Sequence, residues 1–521
     1  MVMFSTITSA MISGVEPVFI HVEVDIAHGL PGFMLVGYLS GEVKEAGERV
    51  RVALKNTGIV LPPMRITVNL SPAGMRKEGT AFDLPIAVGI LKALGHLPGD
   101  STEGMLVIGE LGLSGRVNPV RGVLPLVKKA KEEGYGRCLL PAGNYEEGRL
   151  IEGVEIIGIP DINGAMEYLK WGKNREEPKE AVPPDGRKSK ADREKIPDFS
   201  EIKGQAAAKR AAEIAAAGFH NLLLTGPPGS GKTMIAKRIP GILPPLTEEE
   251  SLEVSSLYSI AGLLSNGPSL IRQRPFMNPH HTITAQALAG GGNSAKPGMI
   301  SLAHKGVLFM DELPEFKTSV IDMLRQPLEE KEIRIVRLGG DYTFPADFML
   351  VAAMNPCPCG YYPDLGKCTC SLSKIKRYQG HISGPVLDRI DLCVGVSGVT
   401  AKQLSEKKEE ETSGRIRERV LAARKMQEER YRDKPYRFNA LLPQADLKDY
   451  CRLGKKEEHL MEKAFTMLGM SARSYCRILK TARTIADLDG SGDVKGIHIE
   501  EALEYKTGEA RRNIERSKQE K

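Results

Sequence analysis

The chain is poor in aromatic residues, 5%, with a single tryptophan. No apolar run approaches the roughly 20 residues that cross a bilayer, so no membrane partner is expected. The N-terminus, MVMFSTITSAMISGVEPVFI, lacks a basic leader, and Gly14, Glu16 and Pro17 interrupt it, so it does not read as a signal peptide. A cytoplasmic location follows as an expectation. There is no strong charge excess either. A net charge of +6 permits nucleic-acid binding without arguing for it, because basic footprints act by clustering. No internal repeats are visible. What remains, 41% hydrophobic and 26% charged residues, is ordinary for a soluble protein. At 521 residues the chain is too long for one core.

Four regions are expected. Residues 1–170 read as a mixed α/β unit. VFIHVEVDI alternates apolar and polar side chains as a half-buried strand, RITVNL and MLVIGELGL read as further strands, and EVKEAGERVRVALKNTG as an amphipathic helix capped by Gly58. Residues 171–197 are charged, rich in Pro and Lys and aperiodic, an interdomain linker. Residues 198–400 alternate helices with short buried strands, the pattern of a parallel sheet. Residues 401–521 are helical and open on a charge run, EKKEEETSGRIRERVLAARKMQEERYRDK, read as a solvated helix rather than a nucleic-acid face.

GPPGSGKT, Gly226 to Thr233, fits G-x-x-x-x-G-K-[ST] between a strand and a helix. Backbone N–H groups of Gly226, Gly229, Ser230 and Gly231, in the loop that also holds Pro227 and Pro228, would cradle phosphates. Lys232 would charge-pair with them and Thr233 would give its hydroxyl to Mg²⁺. GVLFMDE then delivers Asp311 to the magnesium and Glu312 to the attacking water. FMLVAAMNP ends a third strand in Asn355, an amide suited to the water or the γ-phosphate; a turn residue before Pro356 is the plainer reading.

These three strand ends together resemble the AAA+ P-loop NTPase core, which implies ATP and Mg²⁺ as cofactors and Asn355 as sensor 1. The resemblance also implies that Arg389, in SGPVLDRIDL, points at a neighbouring subunit's nucleotide, and that Arg473, in SARSYCRILKTAR, is a sensor 2 in the C-terminal helical lid. For either arginine a surface ion pair is the alternative. A finger supplied in trans implies a homo-oligomeric ring, a hexamer.

Two inserts narrow the branch. RPFMNPHHTITAQALAGGGNSAKPGMISLAHKG carries His280 and His281, and EIRIVRLGGDYTFPADFML reads as a hairpin with Gly339 and Gly340 at its turn. With PPLTEEESLEVSSLYSIAGLL, ISLAHKGVLFMDELPEF, AAMNPCPCGYY and RILKTARTIADLDG they resemble the magnesium-chelatase-like ATPases of the YifB/ComM type, from the N-terminal domain through the C-terminal helices. The resemblance implies a hexameric motor on single-stranded or branched DNA, with branch migration or helicase activity in recombination or natural transformation. Two departures stand out. Met277 occupies a position where the family has arginine, and Val36-Gly37-Tyr38-Leu39-Ser40 replaces VGLPD. A chelatase motor for porphyrin metal insertion and a protein remodeller are the competing functions.

RKEGTAFDLPIAVGIL and IGELGLSGRVNPVRGVLPLVKKAKEEG resemble the Lon protease domain, which implies a ribosomal-protein-S5-like α+β fold. Its Ser–Lys dyad falls on Ala81 and on Leu124 or Leu126, with Lys128 and Lys129 out of phase, so no peptidase activity is expected. Cys357, Cys359, Cys368 and Cys370 lie within CPCGYYPDLGKCTC. Structural Zn²⁺ is the preferred reading, with free thiols and a redox pair left open. Cys138, Cys393, Cys451 and Cys476 are expected to be packing residues.

Overall fold

The computed structural model describes residues 3–172, 196–264, 269–292, 296–337, 340–398 and 409–507. The expected linker lies largely outside them. Its first residue, Trp171, instead ends the helix Ile162–Trp171, which Gly172 caps in a left-handed conformation.

The N-terminal unit is a seven-stranded mixed sheet, ordered Gly32–Val36, Arg65–Ser71, Glu16–Ala27, Phe4–Ser13, Met105–Val107, Arg137–Pro141, Glu155–Ile159. Ile20, Val22, Val24 and Ile26 alternate inward, as the sequence pattern requires, and pack under the helices Ala46–Asn56 and Asp83–Ala93. The helix expected over residues 42–58 is two helices, Gly41–Lys44 and Ala46–Asn56, parted at Glu45. MLVIGELGL likewise divides into Met105–Val107 and Glu110–Leu111, with Gly109 pressed against Leu84 and Val117 between them.

The second sheet is wholly parallel, ordered Phe276–Met277, Val307–Met310, Met349–Met354, Leu222–Thr225, Leu392–Gly395. Both faces are covered, so its strands are apolar throughout. Leu222, Leu224, Phe309 and Val351 face the helices Ala206–Gly218, Lys232–Ile242, Ser413–Arg430 and Ala472–Leu488. Leu223, Leu308, Met310 and Leu350 face Phe316, Ile321, Tyr378 and Ile382 on the other side. The lid helices therefore share the sheet's core rather than building one of their own.

The charge run is accordingly no freely solvated helix. Ile416, Val420, Ala423 and Gln427 are buried, and Arg419 pairs with Glu213 and Glu411. The N-terminal unit also docks on the core. Gly122 N–H donates to the carbonyl of Ser259 at 3.1 Å, and Leu252, Leu264 and Leu270 join the apolar cluster of Leu124, Leu126 and Val127.

Candidate active site

A parallel sheet gathers its binding loops at the C-terminal ends of the strands. The loop after Leu222–Thr225 turns through left-handed Gly229 (φ +74°) and Gly231 (φ +95°) before the helix begins at Lys232. Glycine is required there because a Cβ disfavours that conformation. It is required at Gly226 for a different reason: an added Cβ would lie 2.1 Å from the carbonyl oxygen of Val396.

Lys232 Nζ donates to the carbonyls of Gly226 (2.7 Å) and Pro227 (2.8 Å) and to Asn355 Oδ1 (3.1 Å). Burial lowers its pKa, and the charges of Asp311 and Glu312 work against that. Thr233 Oγ1 donates to Asp311 Oδ2 at 2.7 Å, so the hydroxyl and carboxylate suited to Mg²⁺ are in contact. Glu312 is exposed and has φ +52°, a conformation costly for a residue with a Cβ. All five residues singled out by motif on this side converge.

The insert supplies a contact that sequence reasoning missed. His281 Nδ1 lies 3.8 Å from Glu312 Oε2, and its ring packs against His280 with centroids 4.1 Å apart. The PHHT stretch thus abuts Glu312. Met277, where the resemblance leads one to expect arginine, pairs with Leu308 and packs against the sheet face of Leu223, Leu308 and Phe316.

Family models for magnesium chelatase subunit ChlI match residues 198–404, with models for further parts of the same subunit matching residues 22–144 and 410–506. Competence protein ComM of Haemophilus influenzae is 42% identical over 494 residues, 95% of each chain. The uncharacterized protein YifB of Escherichia coli is 39% identical over 499 residues, also 95% of each chain. The chain belongs to the magnesium-chelatase-like ATPase family of ComM and YifB. Lon protease 2 of Bacillus subtilis is similar over 127 residues at 32% identity, 24% of this chain and 22% of that one. At the positions expected to hold a dyad, Ala81 is partly buried, and Leu124 and Leu126 are buried in the apolar cluster.

The two arginines lie elsewhere. Arg389 precedes Leu392–Gly395, and its carbonyl accepts from Asn221 Nδ2 at 2.9 Å, which sets it level with the start of the phosphate-loop strand. Asn221 to Gly226 is five residues of strand, about 16 Å at roughly 3.3 Å each. Arg389 therefore sits at the end of the sheet opposite Lys232. Arg473 opens the lid helix as expected, but it too is at that opposite end. Both arginines bind Glu329, Arg389 through Nη2 at 2.5 Å and Arg473 through a shorter contact. The ion-pair alternative for each is thus realised within the chain, and neither reaches the Lys232 pocket of its own subunit.

The four cysteine sulfurs come together within 4.8 Å of one another. Cys357 to Cys359 is 3.3 Å, Cys357 to Cys368 3.7 Å and Cys359 to Cys368 3.6 Å. Sulfurs around a tetrahedral Zn²⁺ with Zn–S near 2.3 Å stand about 3.8 Å apart, so the donor set fits that ion. The cluster leans on the phosphate loop: Gly360 (φ +87°) faces Pro228, and a Cβ there would meet Pro228 Cδ at 2.3 Å. Cys138, Cys393 and Cys451 are buried and Cys476 is partly so, as packing residues are.

The hairpin pairs Glu332–Arg337 with Gly340–Pro345. Gly340 is opposite Arg337 in the ladder rather than in the turn, and Gly339 lies outside the described residues. Arg334, Val336 and Arg337 are exposed along one strand. Tyr342 on the other packs over Gly14 of the N-terminal unit, where an added Cβ would lie 3.3 Å from its Cδ1.

Proposed function

We propose that the chain is an ATP-hydrolysing motor that works as a homo-hexameric ring on DNA, with branch migration or unwinding in recombination or natural transformation as its task. One observation carries the ring. Arg389 and Lys232 occupy opposite ends of one sheet, so an arginine finger can serve only a neighbour's nucleotide. In each subunit Lys232 and the loop amides grip the phosphates, and Thr233 and Asp311 hold Mg²⁺. Asn355 and Glu312 orient the water, and Arg389 and Arg473 of the adjacent subunit neutralise the charge that develops on the transferring phosphoryl group. The DNA assignment is supported by the exposed Arg334 and Arg337 on the hairpin and by the similarity to a competence protein. Cys357, Cys359, Cys368 and Cys370 hold structural zinc that braces the end of the Asn355 strand. The N-terminal domain has no peptidase activity, and the protein acts in the cytoplasm.

Hydrolysis by purified protein, measured with and without forked and single-stranded DNA over a salt series, tests the motor. The expected result is stimulation by DNA, with apparent affinity falling steeply as salt rises because phosphate contacts release counterions. A rate indifferent to DNA at every salt concentration sinks the DNA reading and favours a chelatase motor or a protein remodeller. Elemental analysis of protein purified without chelator checks the zinc, at one ion per chain.

A further inference from the structure

Glu329 is picked out by no motif. It lies near the end of the six-residue helix Arg325–Glu330, just ahead of the hairpin strand Glu332–Arg337. Its two oxygens are divided between two arginines from distant parts of the chain. Oε2 takes Arg389, on the turn entering the sheet, and Oε1 takes Arg473, at the start of the lid helix.

The surroundings hold these groups unequally. Arg389 is rooted: its side chain is 8% exposed, and Nη1 donates to the carbonyl of Pro385 at 2.6 Å. Its Nε is buried with no acceptor among the described residues. The backbone beneath it is fixed by Arg477 Nη1, which donates to the Arg389 carbonyl at 2.8 Å, and by Lys506 Nζ, which donates to the Ile390 carbonyl at 2.8 Å. Arg473 is half exposed and hangs from the lid. Two guanidinium groups side by side repel, and a carboxylate between them is what keeps them together. An ion pair formed for stability alone has no need to join a sheet turn, a lid helix and a hairpin base. A triphosphate is bound by planar guanidinium forks brought together, and Glu329 joins the half-exposed fork of Arg473 to that of the rooted Arg389.

We propose that Glu329 is a positioning residue that gathers Arg389 and Arg473 into one paired cationic unit, presented to the terminal phosphates of a nucleoside triphosphate bound by the adjacent subunit. This rests on the reading that the two arginines act in trans. Glu329 touches no substrate. It sets the spacing and direction of the two groups that do.

The test is subunit mixing, read against the Lys232→Ala variant. Glu329→Gln alone is expected to lower kcat at least tenfold while binding of a fluorescent ATP analogue, held by the Lys232 half, stays within about twofold. Mixed with Lys232→Ala subunits, it is expected to regain a substantial part of that activity. Interfaces then form in which one chain gives an intact phosphate loop and the other an intact arginine pair, and a folding defect would not be repaired this way. Glu329→Asp, which keeps the charge one methylene shorter, is expected to fall between wild type and Glu329→Gln. Arg389→Ala mixed with Lys232→Ala is the control. If that control regains activity but Glu329→Gln does not, or if Glu329→Gln has wild-type kcat, the positioning role is overturned and the trans reading stands. If the control itself stays inactive, the trans reading falls and takes the role of Glu329 with it.

Discussion

At the C-terminal ends of the five parallel strands, Lys232 reaches Asn355 at 3.1 Å and Thr233 reaches Asp311 at 2.7 Å. Those residues come from three adjacent strands, and the contacts close on one another within the subunit. At the N-terminal ends, Arg389, Arg473 and Glu329 come from a sheet turn, a lid helix and a hairpin base, and they meet in one ion-paired cluster, Arg389 buried and Arg473 half exposed. The first end joins the glycine loop to these side chains, the arrangement proposed to hold the phosphates. The second is a cluster of side chains about Glu329. On the proposed reading one sheet carries two halves of a site back to back, and stacking subunits would bring unlike halves together.

The largest test of that asymmetry is Arg389→Ala. We expect kcat to fall on the order of 10³-fold, the scale of a lost arginine finger, with nucleotide binding nearly intact. Steady-state hydrolysis and equilibrium binding on the same preparation check both halves of the statement. Lys232→Ala should fail differently, losing about 10²–10³-fold in hydrolysis and most nucleotide affinity as well. If the two variants gave the same profile, the division into a binding end and an acting end would be wrong.

Asp391 anchors the second end. It is buried and binds Arg477 and the Asn221 amide, the latter at 2.9 Å. Burial acts to raise its pKa, but Arg477, His220 and Lys506 outweigh it and hold the carboxyl well below the usual range. Asp391→Ala leaves Arg477 and Lys506 without their shared carboxylate and should cost about 3–5 kcal/mol in urea unfolding at neutral pH. Because the folded pKa is depressed, the wild-type contribution is whole above the ordinary carboxylate pKa of about 3.9 and is lost as pH falls toward the folded value. The deficit of the variant should therefore shrink below about pH 4. The smallest effect belongs to the first end. Gly360→Ala places a methyl on Pro228 in a left-handed backbone and should cost about 1–2 kcal/mol. It should weaken nucleotide binding severalfold while metal content by elemental analysis is unchanged.

The first end was legible because each of its parts is a local word: a glycine loop after a strand, an acidic pair after a strand, an asparagine after a strand. Their convergence needs only a parallel sheet. His281 was harder, since two adjacent histidines in an insert announce nothing until the insert folds back on Glu312. Glu329 was not legible at all. A glutamate in LRQPLEEKEIR is one exposed acid among many, and only the placement of the lid beside the sheet turn gives it two partners. Arg473 was read correctly as the start of a lid helix, yet its neighbours there are Glu329 and Arg389, because the lid helix runs along the sheet with its N-terminus toward the Arg389 end. The cysteine spacing suggested a metal site, and the 3.3–3.7 Å sulfur separations supplied the geometry that spacing alone lacked.

By itself, then, the sequence determined which candidate groups the chain carries, since a glycine loop with its lysine, an acidic pair and a cysteine cluster are residue types at short fixed separations. The absence of peptidase activity remains an expectation, resting on the resemblance that sets Ala81 and Leu124 or Leu126 at the dyad positions. The tertiary structure alone decided which side of the subunit each charge faces. Arg389 and Lys232 are separated by a sheet about 16 Å deep at roughly 3.3 Å per residue, and that distance follows from strand direction and register, which no local pattern encodes.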